Sequence, residues 1–229
     1  MMVNRAIGRH QRRDGQGLDP SFPRLLGERL CLDFANTIED RLGDHPEDFL
    51  GSYADLVAWG RHGGVLTETD TRRLLLEAES QPDEADAVYR RALALREAVY
   101  ETFREVAIGQ SPLAADLDRV REEYLGALSQ ARLVPADGGY AWTWEGREPG
   151  LDRVLWFVAR SAVDLLTGDD LARVKQCPGA DDCGWLFFDT SKNGTRRWCS
   201  MEGCGSRVKM RRHYARRRTA DPAARPAES

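Results

Sequence analysis

The hydrophobic residues in the first two thirds of the chain recur every three or four positions, the period of amphipathic helices. The longest stripe lies between a helix-starting Pro82 and a helix-ending Gly109, and it contains Val88, Leu95, Val99, Phe103 and Val106. Shorter stripes follow Ser52, which can cap a helix, and Thr67, which can form a capping box with Asp70. Because each stripe has to be buried against another, the pattern predicts a bundle of helices.

The period changes near Arg132, where two short apolar runs flank the Asp-Gly-Gly sequence of residues 137–139. Turn residues between such runs are typical of a β-hairpin. Trp142 and Trp144 would lie on one face of its second strand, and we expect this aromatic stripe to be part of the core rather than a ligand platform. An apolar helix that ends before Gly168 then returns the chain to the bundle.

Two polar residues, Asp33 and Asn36, interrupt an otherwise apolar helical stretch over residues 28–41. If they are buried, they need hydrogen-bond partners. The commoner partner is the backbone of a loop, and the alternative is that both side chains form the polar floor of a small-ligand pocket. The remaining carboxylates and histidines form no catalytic constellation, so we do not expect an enzyme.

The composition is that of a globular protein, with 229 residues of which 41% are hydrophobic and 31% charged. No apolar run approaches the roughly 20 residues that a membrane-spanning helix needs. The basic N-terminus lacks the apolar core of a secretory signal. We therefore expect a cytoplasmic protein without a membrane partner, in which clustered cysteines bind metal more often than they form disulfides.

Charge divides the chain unevenly. The net charge is only -4, but the segment from Leu171 to Arg218 has 12 basic and 4 acidic residues, against 21 basic and 33 acidic residues elsewhere. Such a split predicts a basic module that binds a polyanion beside an acidic domain. The predicted organisation is a disordered tail over 1–20, a helical domain over 21–170, the basic module over 171–218 and a second disordered tail over 219–229.

Four of the five cysteines lie in the basic module as two close pairs, Cys177 with Cys183 and Cys199 with Cys204. Five residues separate the first pair, fifteen lie between the pairs, and four separate the second pair. Structural zinc commonly takes four thiolates from two such pairs. The spacing therefore predicts one structural Zn²⁺ per chain, in a closed site that leaves no coordination position for catalysis.

The segment between the two pairs has the pattern of a second hairpin. Residues 185–188, Trp-Leu-Phe-Phe, favour a strand, residues 193–194, Asn-Gly, favour a tight turn, and residues 196–198 would be the returning strand. A helix is then predicted from Cys204 to about Arg218. A cysteine pair, a hairpin and a pair at a helix start have the layout of a treble-clef or zinc-ribbon module.

The predicted helix is densely basic, with Arg207, Lys209, Arg211, Arg212, Arg216, Arg217 and Arg218. Val208 and Ala215 would pack inward, with Met210 and Tyr214 as further candidates. Cations at this density repel one another unless an anion neutralises them, and the phosphates of DNA or RNA are the natural partner. Three residues of the predicted hairpin would extend the same surface, namely Lys192, Arg196 and Arg197.

These motifs resemble a known family. The block from Cys183 to Arg218 resembles the CGNR zinc finger, and LCLDFANT, residues 30–37, resembles the opening motif of its usual companion, the ABATE domain, described as a stress-induced transcription regulator. The resemblance covers about residues 21–217. It implies that the helix after the last cysteine binds DNA and that the zinc ligands are Cys177, Cys183, Cys199 and Cys204. The family's name-giving Cys-Gly-Asn-Arg is Cys-Gly-Ser-Arg here, with Ser206 in place of Asn.

The predicted fold class is mainly α with a small β-hairpin, in which an N-terminal helical bundle precedes a treble-clef or zinc-ribbon-like zinc finger ending in a basic helix. Our first hypothesis is a zinc-dependent DNA-binding transcription regulator whose helical domain senses a small molecule or mediates assembly, for instance as a homodimer. Its predicted DNA contacts are Arg196, Arg197, Arg207, Lys209, Arg211, Arg212 and Arg216. The alternative is a zinc-stabilised protein- or RNA-interaction module without sequence-specific DNA binding. The third is an enzyme acting on a ligand above Asp33 and Asn36.

Overall fold

The computed structural model describes residues 19–136, 138–144, 150–179 and 183–220, with side chains as far as residue 215. Within these ranges the helices are α1 Leu30–Ala35, α2 Tyr53–His62, α3 Glu68–Ser80, α4 Pro82–Ala107, α5 Ala114–Ser129, α6 Arg153–Leu166 and α7 Ser206–Ala220. The strands are β1 Ile38–Glu39, β2 Glu47–Asp48, β3 Arg132–Ala136, β4 Gly139–Thr143, β5 Val174–Gln176 and β6 Leu186–Phe188. They pair in sequence order as three antiparallel two-stranded sheets. The predicted fold class is confirmed.

The helix boundaries follow the local signals in the sequence. The Ser52 hydroxyl accepts the backbone N–H of Asp55, which caps α2. Thr67 and Asp70 form the predicted capping box at the start of α3. Pro82 is the first residue of α4, where its missing N–H costs nothing. These caps satisfy backbone donors that would otherwise lack partners at the helix starts.

The main hydrophobic core surrounds α4, which packs against α1, α2, α5 and α6. Its largest fully buried side chains include Phe34, Trp59 and Phe103. The same core continues into Val174 of β5 and into Leu186 and Phe188 of β6, on the far side of the predicted boundary at residue 170. The segment with the four clustered cysteines therefore contributes side chains to the helical core. No helix among the described residues is both long and apolar enough to cross a membrane.

The strand pairing in the C-terminal segment differs from the predicted hairpin. β6 pairs with the preceding β5, with Val174 opposite Phe188 and Gln176 opposite Leu186, and residues 196–198 form no strand. The turn at Gly194 does form, with φ of 61°. The backbone of Arg196 is instead bonded by side chains, because its N–H donates to Asp189 and its carbonyl accepts from Lys175.

The hairpin of β3 and β4 is confirmed, with Leu133 opposite Trp142. The expectation that both tryptophans belong to the core is wrong for one of them, because Trp142 is 47% exposed whereas Trp144 is 4% exposed. Trp144 follows the end of β4 and packs against Trp156, and its indole N–H donates to the carbonyl of Ala127 at 2.8 Å. The strand ends before Trp144, so the alternation of faces does not reach it.

Candidate metal centre and basic helix

The four clustered cysteines of the C-terminal segment are brought together by the fold. The Sγ atoms of Cys177, Cys183, Cys199 and Cys204 all lie within 4.8 Å of one another, and the residues are buried. The Sγ atoms of Cys183 and Cys199 are 3.7 Å apart, as are those of Cys199 and Cys204. A tetrahedral zinc with bonds of about 2.3 Å to sulfur places its ligands about 3.8 Å apart. The donor set therefore fits zinc.

The pKa values of the clustered cysteines also favour a bound cation at this site. Hydrogen bonds from Cys183 and Cys199 lower the pKa of Cys177, whereas hydrogen bonding to Cys177 raises the pKa values of Cys183 and Cys199. One thiolate is thus stabilised at the expense of its neighbours. Only a bound cation allows all four sulfurs to be deprotonated in this space.

The wall of the metal centre comes from the segment around β6. Trp185 and Phe187 pack against the cysteines, together with the partly buried Leu26 and Trp198. The intervening Leu186 and the following Phe188 pack into the main core instead. Because successive side chains of a strand point to opposite faces, this short segment contacts both clusters.

Arg196 was predicted to contact DNA, but its guanidinium points into the protein. It donates to the carbonyls of Trp198 at 3.0 Å, Leu26 at 3.3 Å and Cys199, and it lies 4.7 Å from the ring centroid of Phe187. Only 21% of its side chain is exposed. These contacts do not support a DNA-binding role for Arg196. They tie the second cysteine pair to the segment that precedes α1.

Asp189 is a buried carboxylate that the sequence analysis missed. It accepts hydrogen bonds from Lys175 Nζ at 2.6 Å, from Ser191 Oγ at 2.6 Å and N at 2.9 Å, and from the N–H of Arg196 at 2.9 Å. Burial alone would raise the pKa of Asp189, but the hydrogen bonds from Lys175 and Ser191 hold it well below its ordinary value. An Asp at the end of an apolar strand, followed two residues later by Ser, is a turn signal that was available in the sequence.

The basic helix α7 begins directly after the turn that carries Cys204. This turn, Met201–Gly205, is capped by Ser200, whose hydroxyl accepts the N–H of Gly203 at 3.1 Å. Arg207, on the first turn of α7, donates to the sulfur of Cys204 at 3.5 Å. Arg207 therefore partly neutralises the thiolate cluster and fixes the start of the helix to the metal centre.

The remaining basic side chains of α7 lie in solvent as far as the structure describes them. Lys209, Arg211 and Arg212 are exposed, and so is Arg197 in the preceding loop. The side chain of Arg216 lies outside the described residues. The expectation that apolar residues of α7 pack inward is wrong for three of them, because Met210, Tyr214 and Ala215 are exposed. The fourth, Val208, is half-buried. Only Met210 and Tyr214 among these four are a helical step of four residues apart, so they form no continuous stripe to bury.

Two known families match the chain in the predicted order. The first, the ABATE family, is described as "Putative stress-induced transcription regulator" and matches residues 28–169. The chain belongs to the ABATE family. The second, described as the CGNR zinc finger, matches residues 173–217. No curated protein matches the chain.

This ABATE family protein has one structural zinc site, because the zinc-finger match coincides with four cysteine sulfurs in reach of a single ion. The descriptions of both families are regulatory or structural rather than enzymatic. Ser206, which stands in place of the Asn of the CGNR motif, donates its hydroxyl to the carbonyl of Met201 at 3.0 Å. The serine thus stabilises the turn that carries Cys204.

The two polar residues of the ABATE opening motif have different environments. Asn36 Nδ2 donates to the carbonyl of Leu186 at 2.8 Å, and Asn36 Oδ1 accepts the N–H of the same residue at 2.9 Å. Its amide therefore pairs with the open edge of β6, so the partner is backbone, as expected, but that of a strand rather than of a loop. Asp33 Oδ1 accepts the N–H of Gly27 at 2.7 Å, and Asp33 also lines a cavity. A ligand-binding role for Asp33 and Asn36 stays a prediction.

Proposed function

We propose that this protein is a cytoplasmic, zinc-dependent, DNA-binding transcription regulator, with Cys177, Cys183, Cys199 and Cys204 as the zinc ligands. The observation that carries the proposal is the exposed basic helix α7, which starts at the turn bearing the last of these cysteines. The family description supports a regulatory role. In the proposed protein the helical part receives the regulatory signal, by binding a small molecule or by assembly.

The geometry of α7 suits a nucleic acid. Its 15 residues span about 22 Å at 1.5 Å per residue. The DNA major groove, about 12 Å wide, admits such a helix. Zinc has no direct part in binding DNA here. It holds Cys204, and with it the start of α7, in place, so loss of the ion is expected to release the basic helix from a fixed direction.

The proposal is tested by measuring the affinity of zinc-loaded protein for a duplex selected from a random pool, using fluorescence anisotropy at several salt concentrations. Replacing Arg211 and Arg212 with Ala removes two cations and is expected to reduce the slope of log affinity against log salt by about two. The control replaces Arg72 and Arg121 with Ala. These two exposed arginines lie on α3 and α5, so their replacement removes the same amount of charge away from α7. Equal effects of both double variants would contradict the assignment of α7.

The alternative, an RNA- or protein-interaction module, makes a different prediction in competition. A selected duplex should displace the labelled DNA at a far lower concentration than bulk RNA of the same length if the protein reads a DNA sequence. Equal competition by RNA would favour the alternative. If the regulator acts as a homodimer, the selected site should be a palindrome with half-sites one helical turn apart, or a multiple of it.

A further inference from the structure

A cavity of about 610 Å³ lies where the segment before α1 meets the loop that follows β6. This volume is within the range of about 300–1,000 Å³ that small-molecule sites occupy. Its walls come from both parts of the chain, with Glu28, Arg29 and Asp33 from the helical part and Phe188, Thr190 and Lys192 from the zinc-finger part. A molecule bound here would contact both parts at once.

The acidic groups of the cavity already have partners. Glu28 lies 3.5 Å from the guanidinium of Arg196, and Asp33 accepts the N–H of Gly27 at 2.7 Å. Asp170, also in the lining, pairs with Arg173 at 3.4 Å. Glu28 and Asp170 are therefore paired with cations of the protein, whereas the carboxylate of Asp33 is bonded by a backbone donor.

Lys192 is in a different position. Among the residues that the structure describes, it has no hydrogen bond and no ion pair, and it lines the cavity. The neighbouring Thr190 adds an exposed hydroxyl. Lys192 is thus a cation in the lining that a ligand can neutralise.

Arg29 adds a second cation, from the helical part of the lining. Its guanidinium lies over the ring of Phe188, 3.7 Å from the centroid, and Nη1 donates to the carbonyl of Glu28 at 2.8 Å. These two contacts hold the planar group in a fixed orientation. A planar guanidinium matches the oxygens of a carboxylate or a phosphate.

We infer that this cavity binds a small anionic metabolite through its carboxylate or phosphate group, held between Arg29 and Lys192 with the hydroxyl of Thr190 as a further donor. The walls also suggest what binding does. Glu28 pairs with Arg196, and Arg196 donates to the carbonyls of Leu26 and Cys199, so the cavity wall is linked to the second cysteine pair. This regulatory consequence rests on the proposed function, whereas anion binding does not.

Anion binding is tested by isothermal titration calorimetry of zinc-loaded, full-length protein. Inorganic phosphate and succinate are titrated separately as the probes, which distinguishes the two anion classes, and erythritol is the uncharged comparison. We expect one of the two anions to bind at one site per chain, and erythritol not to bind. Absence of binding by both anions at millimolar concentration would overturn the inference.

Two variants locate the site. Lys192→Glu reverses the charge, and Thr190→Trp fills the cavity without changing the charge; both positions are exposed, so folding is expected to survive and is checked by circular dichroism and zinc content. Each should raise the dissociation constant at least about tenfold, the worth of a hydrogen bond to a charged group. Arg121→Ala, on α5, removes a cation outside the cavity and should leave the dissociation constant unchanged. Binding that both cavity variants leave intact would place the anion elsewhere, for instance on α7, and overturn the inference.

The regulatory consequence has its own measurement. Coupling is reciprocal, so a probe that changes the affinity for the selected duplex must have its own affinity changed by that duplex to the same extent. An unchanged DNA affinity at saturating probe would overturn the coupling and leave the anion site intact. Failure of the protein to bind DNA without any probe would overturn the proposed function instead, since anion binding is measured without DNA.

Discussion

Replacing Asp189 with Ala is the sharpest test of how the metal centre is attached to the fold. Asp189 has no exposed surface, and it anchors the loop between β6 and the second cysteine pair. It holds Lys175, whose ammonium group also donates to the carbonyls of Gly194 at 2.6 Å and Arg196 at 3.1 Å. The substitution leaves Lys175 with two carbonyls but without its counter-ion.

Removing one partner of a buried ion pair costs about 3–5 kcal/mol, because the other charge stays buried. Lys175 keeps two acceptors and its side chain is 31% exposed, so water can hydrate it in part. We therefore expect the lower end, about 3 kcal/mol of unfolding free energy. The loop also positions Arg196 against the carbonyl of Cys199, so zinc affinity should fall by about tenfold, as it does when outer-sphere partners of metal ligands are lost.

The assay is urea unfolding of the zinc-saturated protein at pH 7, followed by tryptophan fluorescence, with zinc affinity measured by competition with a chelator. The control is Asp118→Ala, which breaks an ion pair with Arg121 whose two side chains are about 60% exposed, and which should cost less than about 1 kcal/mol. An equally small loss for Asp189→Ala, with zinc affinity unchanged, would refute the anchoring role of Asp189.

The sign of the pH dependence follows from the lowered native pKa of Asp189. The stabilisation of the folded state by its carboxylate is fully present above the unfolded pKa of about 3.9. It is lost as the pH falls through the still lower native pKa. Acid also protonates the zinc ligands of both proteins. The quantity to follow is therefore the difference in unfolding free energy between wild type and Asp189→Ala, which should become smaller below about pH 4. A difference that widens there would contradict the assigned ionisation.

Three further predictions concern other parts of the fold. Asn36→Ala leaves the N–H and carbonyl of Leu186 without their partner. The unfolding free energy should fall by about 1–3 kcal/mol for each group that stays unsatisfied, as measured by urea unfolding. A loss near zero would mean that water replaces the amide. Thr67→Ala removes the cap of α3 and should cost about 1 kcal/mol in the same assay, whereas no change would show that the capping box contributes nothing. A fragment of residues 171–220 with zinc should aggregate or stay unfolded, because its share of the main core is exposed, and a stable monomer by size exclusion and circular dichroism would contradict this.

The features that the sequence predicted are those that depend on neighbours in the chain. Helix caps at Ser52 and Thr67 and the hairpin of β3 and β4 are local, and the cysteine pairs are spaced for one metal site. The pairing of β6 was not predictable in this way. The Asn-Gly turn at 193–194 forms as expected, but the chain after it is bonded by Asp189 and Lys175 instead of a strand, and no local pattern announces that competition.

Arg196 shows the same limit for the candidate DNA surface. In the sequence it is one more cation near a basic helix, and only the fold reveals that its donors contact the carbonyls of Leu26, Trp198 and Cys199. A count of positive charges therefore overstates the nucleic-acid surface. Arg207 adds to this, because its guanidinium contacts the sulfur of Cys204, which leaves Lys209, Arg211 and Arg212 as the described candidates on α7.

The segment Trp185–Phe188 connects the helical part to the metal centre. Its run of four large apolar residues is what a strand buried on both faces requires, yet the sequence does not say what lies on either face. In the fold one face contacts the cysteines and the other the helical core, and the amide of Asn36 fixes the strand edge to α1. We therefore expect a shift of α1 to move the wall of the metal centre, which adjoins the start of α7. A separate zinc finger on a flexible linker would lack this connection.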